Sequence, residues 1–296
     1  MEKPNEPNSE DCCNSGCNPC IFDIYDEQLK LYEKYLLNKE IINTIPQNNA
    51  ISQLKYTGFV LVKNLPECHL HHRLFFKKKS DDNMKVSWKP GDHFLYKYNT
   101  DKNSCTRAYT PLKVRNDQSL ISDFSIIVKN YELGLVSSHL CNLNEGSITF
   151  WRGPYGHYNL ECNKFERIIM IAQGTGIAPF ISMIETILNN EDDLTKVILL
   201  YCCQSENSIL FREELYYYKS YWNFKYEIFV SNASVPLKYR YQEPINSHRF
   251  SSNNLLPLKP FTNNDQVLIC GAPQFNETYK LYLEAETPKV ENIVLF

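Results

Sequence analysis

A buried strand pattern, a glycine-containing turn and a helical pattern follow one another between residues 167 and 188. The apolar run Arg167–Ala172 leads into Gln173-Gly-Thr-Gly176, and the apolar residues of Ala178–Leu188 recur at helical spacing. The chain has only 10 glycines, about half the usual share. Two of them within three positions therefore indicate a local need for backbone freedom. Strand, tight turn and helix in this order favour a parallel sheet with covering helices.

The same alternation continues toward the C-terminus. We predict strands at Val197–Tyr201, Lys225–Val230 and Gln266–Ile269, and a second helix at Leu210–Tyr218. Strands that alternate with helices in this way are typical of an α/β domain.

Residues 56–150 carry a different pattern. Their apolar segments are short, rich in aromatic or β-branched residues, and separated by turn signals such as Pro90-Gly91. Such spacing favours an antiparallel β-barrel. The predicted elements are strands at Gly58–Val62, His93–Tyr96 and Phe124–Val128, and one helical turn at Val136–Leu140.

The N-terminal region forms a small third part. Residues 1–11 are polar, and a group of four cysteines follows. The helical spacing of Tyr25, Leu29, Tyr32 and Leu36 predicts one amphipathic helix over Asp23–Asn43. We therefore predict a cysteine-rich helical segment at 1–45, an antiparallel β-barrel domain at 46–162 and a parallel-sheet domain at 163–296.

Composition excludes several classes of protein. The formal net charge of -3, from 31 basic and 34 acidic residues mixed along the chain, argues against nucleic-acid binding through phosphate neutralisation. The first residues lack a secretory signal pattern, and no apolar run reaches the length of about 18 residues that a membrane span needs. Eleven cysteines, mostly scattered, do not suggest a disulfide scaffold. We expect an intracellular protein, cytoplasmic or peripheral on an organelle membrane, without a transmembrane segment.

The turn at Gly174 and Gly176 is suited to anion binding. Between a strand and a helix start it exposes backbone N–H groups and the positive end of a helix dipole, as a cofactor pyrophosphate requires. A tight turn that binds no ligand would use the same residues. This motif alone leaves both interpretations open.

Two further segments carry polar side chains at useful positions. A strand displays Arg107 and Tyr109 on one face, so a guanidinium can pair with phosphate while an aromatic ring packs on a flat cofactor. Ser137, near a predicted helix start, can bind phosphate or serve as a plain N-cap. Arg107 and Tyr109 on a solvated strand face remain the alternative.

Five segments, in this order, resemble the signatures of the ferredoxin reductase superfamily. The resemblance covers about residues 56–296 and implies FAD and pyridine nucleotide as cofactors. Arg107–Pro111 resembles the flavin motif, Gly134–Leu140 the Gly-x-x-Ser segment, Phe150–Gly156 the Arg-Gly-Pro-x-Gly turn that closes the barrel, Gly174–Pro179 the nucleotide-binding signature, and Val267–Phe275 the second nucleotide signature, a strand that ends in Cys-Gly-x-Pro.

The resemblance also assigns roles to individual residues. It implies that Thr110, at the isoalloxazine edge, and Cys270, next to the nicotinamide, are catalytic. The cofactor-binding residues that it implies are Arg107, Tyr109, Thr110, Pro111, Lys129, Gly134, Val136, Ser137, Ser138, Gly174, Thr175, Gly176, Pro179, Cys270, Gly271 and Phe296.

Within the superfamily the NADH-cytochrome b5 reductase group is the most similar. Phe124–Tyr131 and Ile209–Leu215 resemble its characteristic strand and helix. The resemblance implies hydride transfer from NADH to FAD and single-electron transfer to a haem protein such as cytochrome b5, or to another small electron-acceptor protein. Lys77, Lys78 and Lys79 would suit an acidic acceptor, although such a run is more often a solvated loop.

The preferred nucleotide stays open. In the b5 reductases an acidic residue after the strand that corresponds to Tyr226–Val230 favours NADH over NADPH, and here Ser231 and Asn232 stand there. An NADPH-preferring, ferredoxin-type reductase is therefore the first alternative. A non-catalytic flavin-binding or metal-binding adaptor is the second.

The cysteine group Cys12, Cys13, Cys17 and Cys20 resembles a short oxidoreductase-like N-terminal domain found in some eukaryotic proteins. Four thiolates within nine residues could ligate zinc or an iron-sulfur cluster. Free or redox-labile thiols and a disulfide are the alternatives.

Overall fold

The computed structural model describes residues 49–53, 55–80, 84–99, 104–113, 122–233, 239–287 and 290–296, together with positions 3, 4, 6, 7, 22, 25, 26, 29, 30, 32, 33 and 36. The chain divides into two compact units. The first comprises residues 1–65 and 72–158, and the second residues 66–71 and 159–296.

The predicted N-terminal helix is confirmed at the positions that carried its pattern. Tyr25, Leu29, Tyr32 and Leu36 are all helical. Tyr25, Leu29 and Tyr32 are half-buried, whereas Leu36 is 58% exposed. The ends of this helix and the four-cysteine group lie outside the described residues.

The first unit is built on a six-stranded sheet with the order β4-β3-β6-β1-β2-β5. Its pairs β1/β6, β3/β4 and β3/β6 are antiparallel. One short helix, α1, follows β5. The elements are β1 Thr57–Cys68, β2 His71–Lys78, β3 His93–Asn99, β4 Ser104–Tyr109, β5 Phe124–Lys129, α1 Leu135–Cys141 and β6 Ile148–Tyr155.

The two outer strands of this sheet are joined just beyond β4. The backbone N–H of Leu112 donates to the Ser125 carbonyl at 2.8 Å, and the N–H of Ser125 donates back at 3.0 Å. Since Ser125 belongs to β5, the bridge links both edges of the sheet, and the fold is a closed antiparallel barrel.

Aromatic side chains fill the barrel. Trp151 and Phe124 are fully buried, and their rings meet edge to face with centroids 5.5 Å apart. Phe76 stacks on Phe124 at 5.2 Å. Each such side chain contributes on the order of 2 kcal/mol through burial, so this cluster stabilises the barrel that contains β4, the strand of Arg107 and Tyr109.

The second unit contains a parallel sheet with the order β10-β9-β8-β7-β11-β12. Helices follow β7, β8 and β11. The elements are β7 Arg167–Gln173, α2 Ala178–Leu188, β8 Lys196–Cys203, α3 Arg212–Tyr218, β9 Phe224–Val230, β10 Ile245–Asn246, β11 Asp265–Cys270, α4 Pro273–Glu284 and β12 Ile293–Leu295.

The order of these strands reverses between β7 and β11. From β7 the chain moves through β8 and β9 in one direction, and it then returns to place β11 on the other side of β7. Arg167 and Asp265 fix this pairing through a two-pronged ion pair, with Nε–Oδ1 at 2.8 Å and Nη2–Oδ2 at 2.6 Å. In parallel α/β sheets, ligands bind outside the carboxyl ends of the strands at such a reversal.

The predicted fold class, an antiparallel barrel and a parallel-sheet unit, is confirmed. Two local predictions are wrong. The Phe150–Gly156 segment is mostly strand, since β6 runs through Gly153-Pro154 to Tyr155 opposite a bulge in β3. Lys77 and Lys78 belong to strand β2 and not to a loop, because Leu74, Phe75 and Phe76 bury the strand next to them.

Candidate functional site

Arg107 is available to bind an anion. It lies on β4 opposite Tyr96 of β3, and its side chain is half-buried. Within the described part of the chain its guanidinium donates only to the neighbouring Thr106 carbonyl, at 2.8 Å. A guanidinium has five donors, so most of its hydrogen-bonding capacity is left for a phosphate.

Tyr109 lies two residues further along the same strand. Its ring centroid is 5.9 Å from that of Trp151, at an interplanar angle of 70°. Burial raises the pKa of its phenol, and the neighbouring Tyr96 adds to the rise, so the side chain stays neutral at physiological pH. The packed Trp151 holds this ring rigidly beside Arg107.

Thr110 and Pro111 follow β4 directly. Thr110 is half-buried, and no partner for its hydroxyl is found among the residues that the structure describes. Pro111 is buried and precedes the Leu112–Ser125 bridge. The barrel closure therefore fixes the backbone next to Thr110.

The turn before α1 depends on Gly134. A Cβ at this position would stand 2.9 Å from the Cβ of Tyr131 and would collide with the Ser137 hydroxyl. That hydroxyl is 3.4 Å from both the Tyr131 N–H and the Gly134 carbonyl. Ser137 is thus held over the turn by weak hydrogen bonds that an incoming anion can replace.

The neighbouring predicted residues are placed differently. Val136 is buried, 4% exposed, so only its backbone is available to a ligand. The Ser138 hydroxyl is 3.4 Å from the Asn142 amide. Lys129, the last residue of β5, holds its Nζ 5.2 Å from the Tyr131 ring centroid, beside the Gly134 turn.

Four buried side-chain polar atoms in this unit have no hydrogen-bond partner within the described residues: His93 Nε2, Ser122 Oγ, Asn130 Oδ1 and Arg152 Nε. Asn130 lies next to Lys129, and Arg152 lies next to Trp151. Unpaired buried polar atoms are rare in native proteins and indicate a missing partner. Together with the free capacity of Arg107, they fit a unit that binds an anionic, polar cofactor.

Gly174 and Gly176 are each required at their positions, for different reasons. Gly174 has φ +55°, in the left-handed region that favours glycine, and its surroundings are open. A Cβ at Gly176 would stand 2.7 Å from the carbonyl carbon of Cys270. The turn Gly174–Ile177 is one 3₁₀ turn, with Thr175 half-buried, and it leads into α2, where Pro179 occupies the first turn.

Cys270 ends β11 and pairs in register with Ala172 of β7. Burial raises the pKa of its thiol to about 12, so the thiol stays protonated at neutral pH. A Cβ at Gly271 would stand 2.9 Å from the Cβ of Gln173. The two predicted nucleotide signatures therefore meet at the strand reversal, with backbone against backbone.

Phe296 lies at the same edge. Its N–H donates to the Ile269 carbonyl at 3.0 Å, and its carbonyl accepts from Asn276 Nδ2 at 3.2 Å. Its ring centroid is 5.7 Å from that of Phe180 on α2. The structure thus brings Phe296, Cys270 and Gly176 together.

Gln173 and Trp151 were not predicted as site residues. Gln173 Oε1 accepts the Ala272 N–H at 3.1 Å and so ties the turn after β7 to the turn after β11. A polar residue at the end of the otherwise apolar run 168–172 is the signal that identifies it. Trp151 carries no such signal, because a buried tryptophan in a strand is ordinary core.

Three protein-family profiles match the chain. Residues 59–160 match the oxidoreductase FAD-binding domain, and residues 170–280 match the oxidoreductase NAD-binding domain. Residues 1–40 match the N-terminal domain described as oxidoreductase-like protein. The chain thus carries an FAD-binding oxidoreductase domain followed by an NAD-binding oxidoreductase domain. It is therefore an FAD-dependent oxidoreductase that uses a pyridine nucleotide.

Two known proteins resemble this oxidoreductase, one over most of its length and the other over less than half. The human protein named NADH-cytochrome b5 reductase-like is 28% identical over 288 residues, which cover 93% of this chain and 88% of the relative. NADH-cytochrome b5 reductase 1 of Kluyveromyces lactis is 39% identical over 125 residues, 42% of this chain and 44% of the relative. The predicted family resemblance is confirmed.

Solved structures support the fold. The cytochrome b5 reductase domain of Ulva prolifera nitrate reductase matches with a TM-score of 0.69 at 24% identity, over 84% of this chain and 100% of that domain. Ferredoxin-NADP+ reductase from Plasmodium falciparum matches with a TM-score of 0.61 at 18% identity, over 81% of this chain and 96% of that one. At these identities the likeness extends to the fold alone.

Two predictions concern metal and membrane. Among the described residues no group of three His, Cys, Asp or Glu side chains could hold a metal ion. The four cysteines Cys12, Cys13, Cys17 and Cys20 lie outside the described residues. None of the helices in the described part of the chain combines the length and apolar character of a membrane span. The compartment stays a prediction.

Proposed function

We propose that this oxidoreductase transfers electrons from NADH or NADPH through FAD to a haem protein such as cytochrome b5. The observation that carries the proposal is the meeting of Gly176 and Cys270 at the strand reversal. It is supported by the Arg107 guanidinium in the barrel, which donates only to the Thr106 carbonyl within the described residues. The names of the relatives supply the acceptor. Another small electron-acceptor protein is the alternative.

The barrel residues are proposed to hold FAD. Arg107 would pair with its phosphates, together with the hydroxyls of Ser137 and Ser138, the backbone of Gly134 and Val136, and the Lys129 ammonium. Tyr109 would pack on the flavin, while Thr110 and Pro111 would line the edge of its ring. The rigid support of Tyr109 by Trp151 suits this task, because a fixed ring leaves less reorganisation at each electron transfer.

The parallel-sheet residues are proposed to hold the pyridine nucleotide. Gly174, Thr175 and Gly176 would bring backbone N–H groups and the start of α2, with Pro179, to the pyrophosphate. Gly271 would allow close approach, and Phe296 would cover the site. These positions lie at the carboxyl edge where parallel α/β sheets bind such ligands.

FAD supplies the chemistry, since it accepts a hydride from a reduced nicotinamide and passes electrons on singly. The residues of the chain orient the reactants and exclude water. Cys270 is proposed to lie beside the nicotinamide as a neutral thiol, because its pKa of about 12 keeps it protonated and a thiol does not compete as a nucleophile. The free Thr110 hydroxyl is proposed to donate a hydrogen bond at the edge of the flavin.

Absorption spectroscopy tests the function directly. Purified protein should carry a flavin band, and addition of NADH under nitrogen should bleach it. Cytochrome b5 added afterwards should become reduced at a rate that depends on NADH. Bound flavin without bleaching by NADH or NADPH would instead favour the non-catalytic adaptor, and absence of flavin would remove both enzyme proposals.

The domain bounds 1–45, 46–162 and 163–296 are part of this proposal, as is metal binding by the four N-terminal cysteines. The family profile over residues 1–40 supports a separate N-terminal part. Elemental analysis of purified protein tests the metal: zinc or iron near one equivalent per chain, lost in a Cys17→Ser, Cys20→Ser double variant, is the expected result.

A further inference from the structure

Gln173, the last residue of β7, reaches across the strand reversal with its side chain. The side chain is half-buried, and its Oε1 accepts the Ala272 N–H at 3.1 Å. This hydrogen bond fixes the direction of the amide, because only its oxygen can accept from a backbone N–H. The turn after β7 and the turn after β11 are therefore joined by a side chain, in addition to the contact between Gly176 and Cys270.

The close approach of Gln173 depends on Gly271. A Cβ at position 271 would stand 2.9 Å from the Cβ of Gln173, 3.2 Å from its Oε1 and 2.7 Å from Cδ1 of Phe275. Packed side chains cannot yield this much space without moving. A side chain at position 271 would therefore push Gln173 away from Ala272.

Ala272 is the residue on which α4 begins. It is the N-cap of the helix, with φ −62° and ψ 150°, and its carbonyl accepts the Asn276 N–H at 3.0 Å. Alanine has no side-chain oxygen that could cap a helix, and Ala272 is exposed. The hydrogen bond to Gln173 therefore fixes the position at which α4 starts.

The start of α4 in turn holds Phe296. Asn276 Nδ2 donates to the Phe296 carbonyl at 3.2 Å, and the Phe296 ring meets that of Phe180 on α2. Three successive hydrogen bonds thus connect Gln173 to Phe296, through Ala272 and Asn276. Because this network is contiguous, a shift of Ala272 is passed on to Phe296.

We infer, on the basis of the proposed function, that Gln173 is a positioning residue for hydride transfer. It acts through Ala272, and it fixes both the backbone after Cys270 and the position of Phe296, the groups proposed to lie at the nicotinamide. The Gly174 turn, which is proposed to hold the pyrophosphate, needs only the backbone of Gln173. Loss of this side chain should therefore slow hydride transfer and leave the binding of the phosphates unchanged.

Gln173→Met tests the inference, because it removes the acceptor and keeps the length of the side chain. In anaerobic stopped-flow experiments with the FAD-loaded protein, flavin bleaching at saturating NADH should be about tenfold slower than in the wild type, since small displacements of reactants are costly. Deuterium at the transferred position of NADH should slow bleaching further, which identifies hydride transfer as the affected step. The Kd of ADP-ribose, which carries the phosphates but no nicotinamide, should stay unchanged.

Ala272→Pro tests the cause of the slower bleaching. The φ of −62° at Ala272 matches the angle of about −65° that a proline ring imposes, and proline has no N–H that needs an acceptor. The double variant Gln173→Met, Ala272→Pro should recover most of the wild-type rate, because the ring then fixes the start of α4. A glutamine that acted by direct contact with the nucleotide could not be replaced in this way.

Gln173→Glu is the conservative variant, since it keeps an acceptor oxygen at the same place. Its bleaching rate should be close to that of the wild type when NADH is saturating, a condition under which the added charge does not affect occupancy. Gln204→Met is the matched control, because it makes the same exchange at an exposed site directly after β8, on the same edge of the sheet. It should leave the rate and the Kd unchanged.

A wild-type bleaching rate in Gln173→Met would overturn the inference, as would a double variant that is as slow as the single one. Slow bleaching by Gln173→Glu would also contradict it. Weaker binding of ADP-ribose at an unchanged rate would make Gln173 a phosphate contact and would exclude the positioning role. The proposed function fails separately, if neither NADH nor NADPH bleaches the wild type.

Discussion

The backbone carbonyl of Cys270 occupies the space that any side chain at position 176 would need. A Cβ there would stand 2.7 Å from the carbonyl carbon and 3.2 Å from the Cys270 sulfur. Residues 94 positions apart are thus packed backbone to backbone, and the turn that is proposed to hold the pyrophosphate is built directly on the strand that carries the thiol.

Gly176→Ala should therefore destabilise the second unit and weaken nucleotide binding together. The collision is with backbone, so we expect a loss of about 1–3 kcal/mol in the free energy of unfolding and a higher KM for NADH. Gly58→Ala is the matched control, because its Cβ would meet nothing closer than 3.9 Å. Urea unfolding and steady-state kinetics measure both effects; a Gly176→Ala protein with wild-type stability and KM would show that the packing is not needed.

Arg107→Ala should release FAD. A charge-assisted contact to phosphate contributes about 1.5–3 kcal/mol, which corresponds to an affinity about ten- to hundredfold weaker, whereas Arg107→Lys should keep part of it because the charge stays. The Kd from titration of the apoprotein with FAD, followed by flavin fluorescence, measures the change. Lys85→Ala removes the same charge at an exposed position and should leave the Kd unchanged; equal effects of both variants would assign the loss to net charge alone.

His93 should make the folded protein sensitive to mild acid. Burial, and secondarily the charge of His157, lowers the pKa of His93 from its ordinary value of 6.5 to about 4. The unfolded chain thus takes up a proton before the folded one does. The stability that neutral His93 provides is complete above about pH 6.5 and is lost as pH falls toward 4, by at most about 1.4 kcal/mol per pH unit.

Urea unfolding at pH 7 and pH 5 measures this loss. His93→Asn should show a smaller fall in the free energy of unfolding between the two values than the wild type does. His248→Asn, at an exposed site, should lose as much free energy of unfolding between the two pH values as the wild type does. An unchanged fall in His93→Asn would mean that other groups account for the acid sensitivity.

Arg212→Ala should lower the free energy of unfolding more than removal of both charges of its ion pair with Glu243 does. It leaves Glu243, whose side chain is 0% exposed, as a buried charge without its main partner, and such a change costs about 3–5 kcal/mol. The double variant Arg212→Ala, Glu243→Gln should recover part of that stability, because the stranded charge is gone. Denaturant midpoints of the two proteins test the order; a double variant less stable than Arg212→Ala would contradict it.

The sequence predicts helices well where most residues are buried and poorly where few are. α2 was predicted at its observed bounds, because nine of its 11 residues are buried, Ala178 and Leu188 among them. α4 was missed, since only Tyr279 and Leu283 of its 12 residues are buried. Phe275, Tyr279 and Leu283 do recur at four-residue spacing, but the mostly polar residues around them weaken this pattern.

The candidate site was likewise predictable only in part. The glycine turn and the Cys-Gly pair could each be recognised from local sequence, but their contact depends on the strand order, which places β11 beside β7 although three other strands separate them along the chain. The Arg212 ion pair with Glu243 is equally invisible in the sequence, because 31 residues separate the partners. Local chemistry was predictable, and its assembly through topology was not.

The bridge between Leu112 and Ser125 has a practical consequence for protein engineering. Two backbone hydrogen bonds hold the ends of this β4–β5 connection together, so its closure is already fixed. Lengthening a connection with fixed ends costs little, about 0.6 kcal/mol for each doubling. The connection is therefore a natural place to insert a reporter peptide or a fluorophore site without opening the barrel.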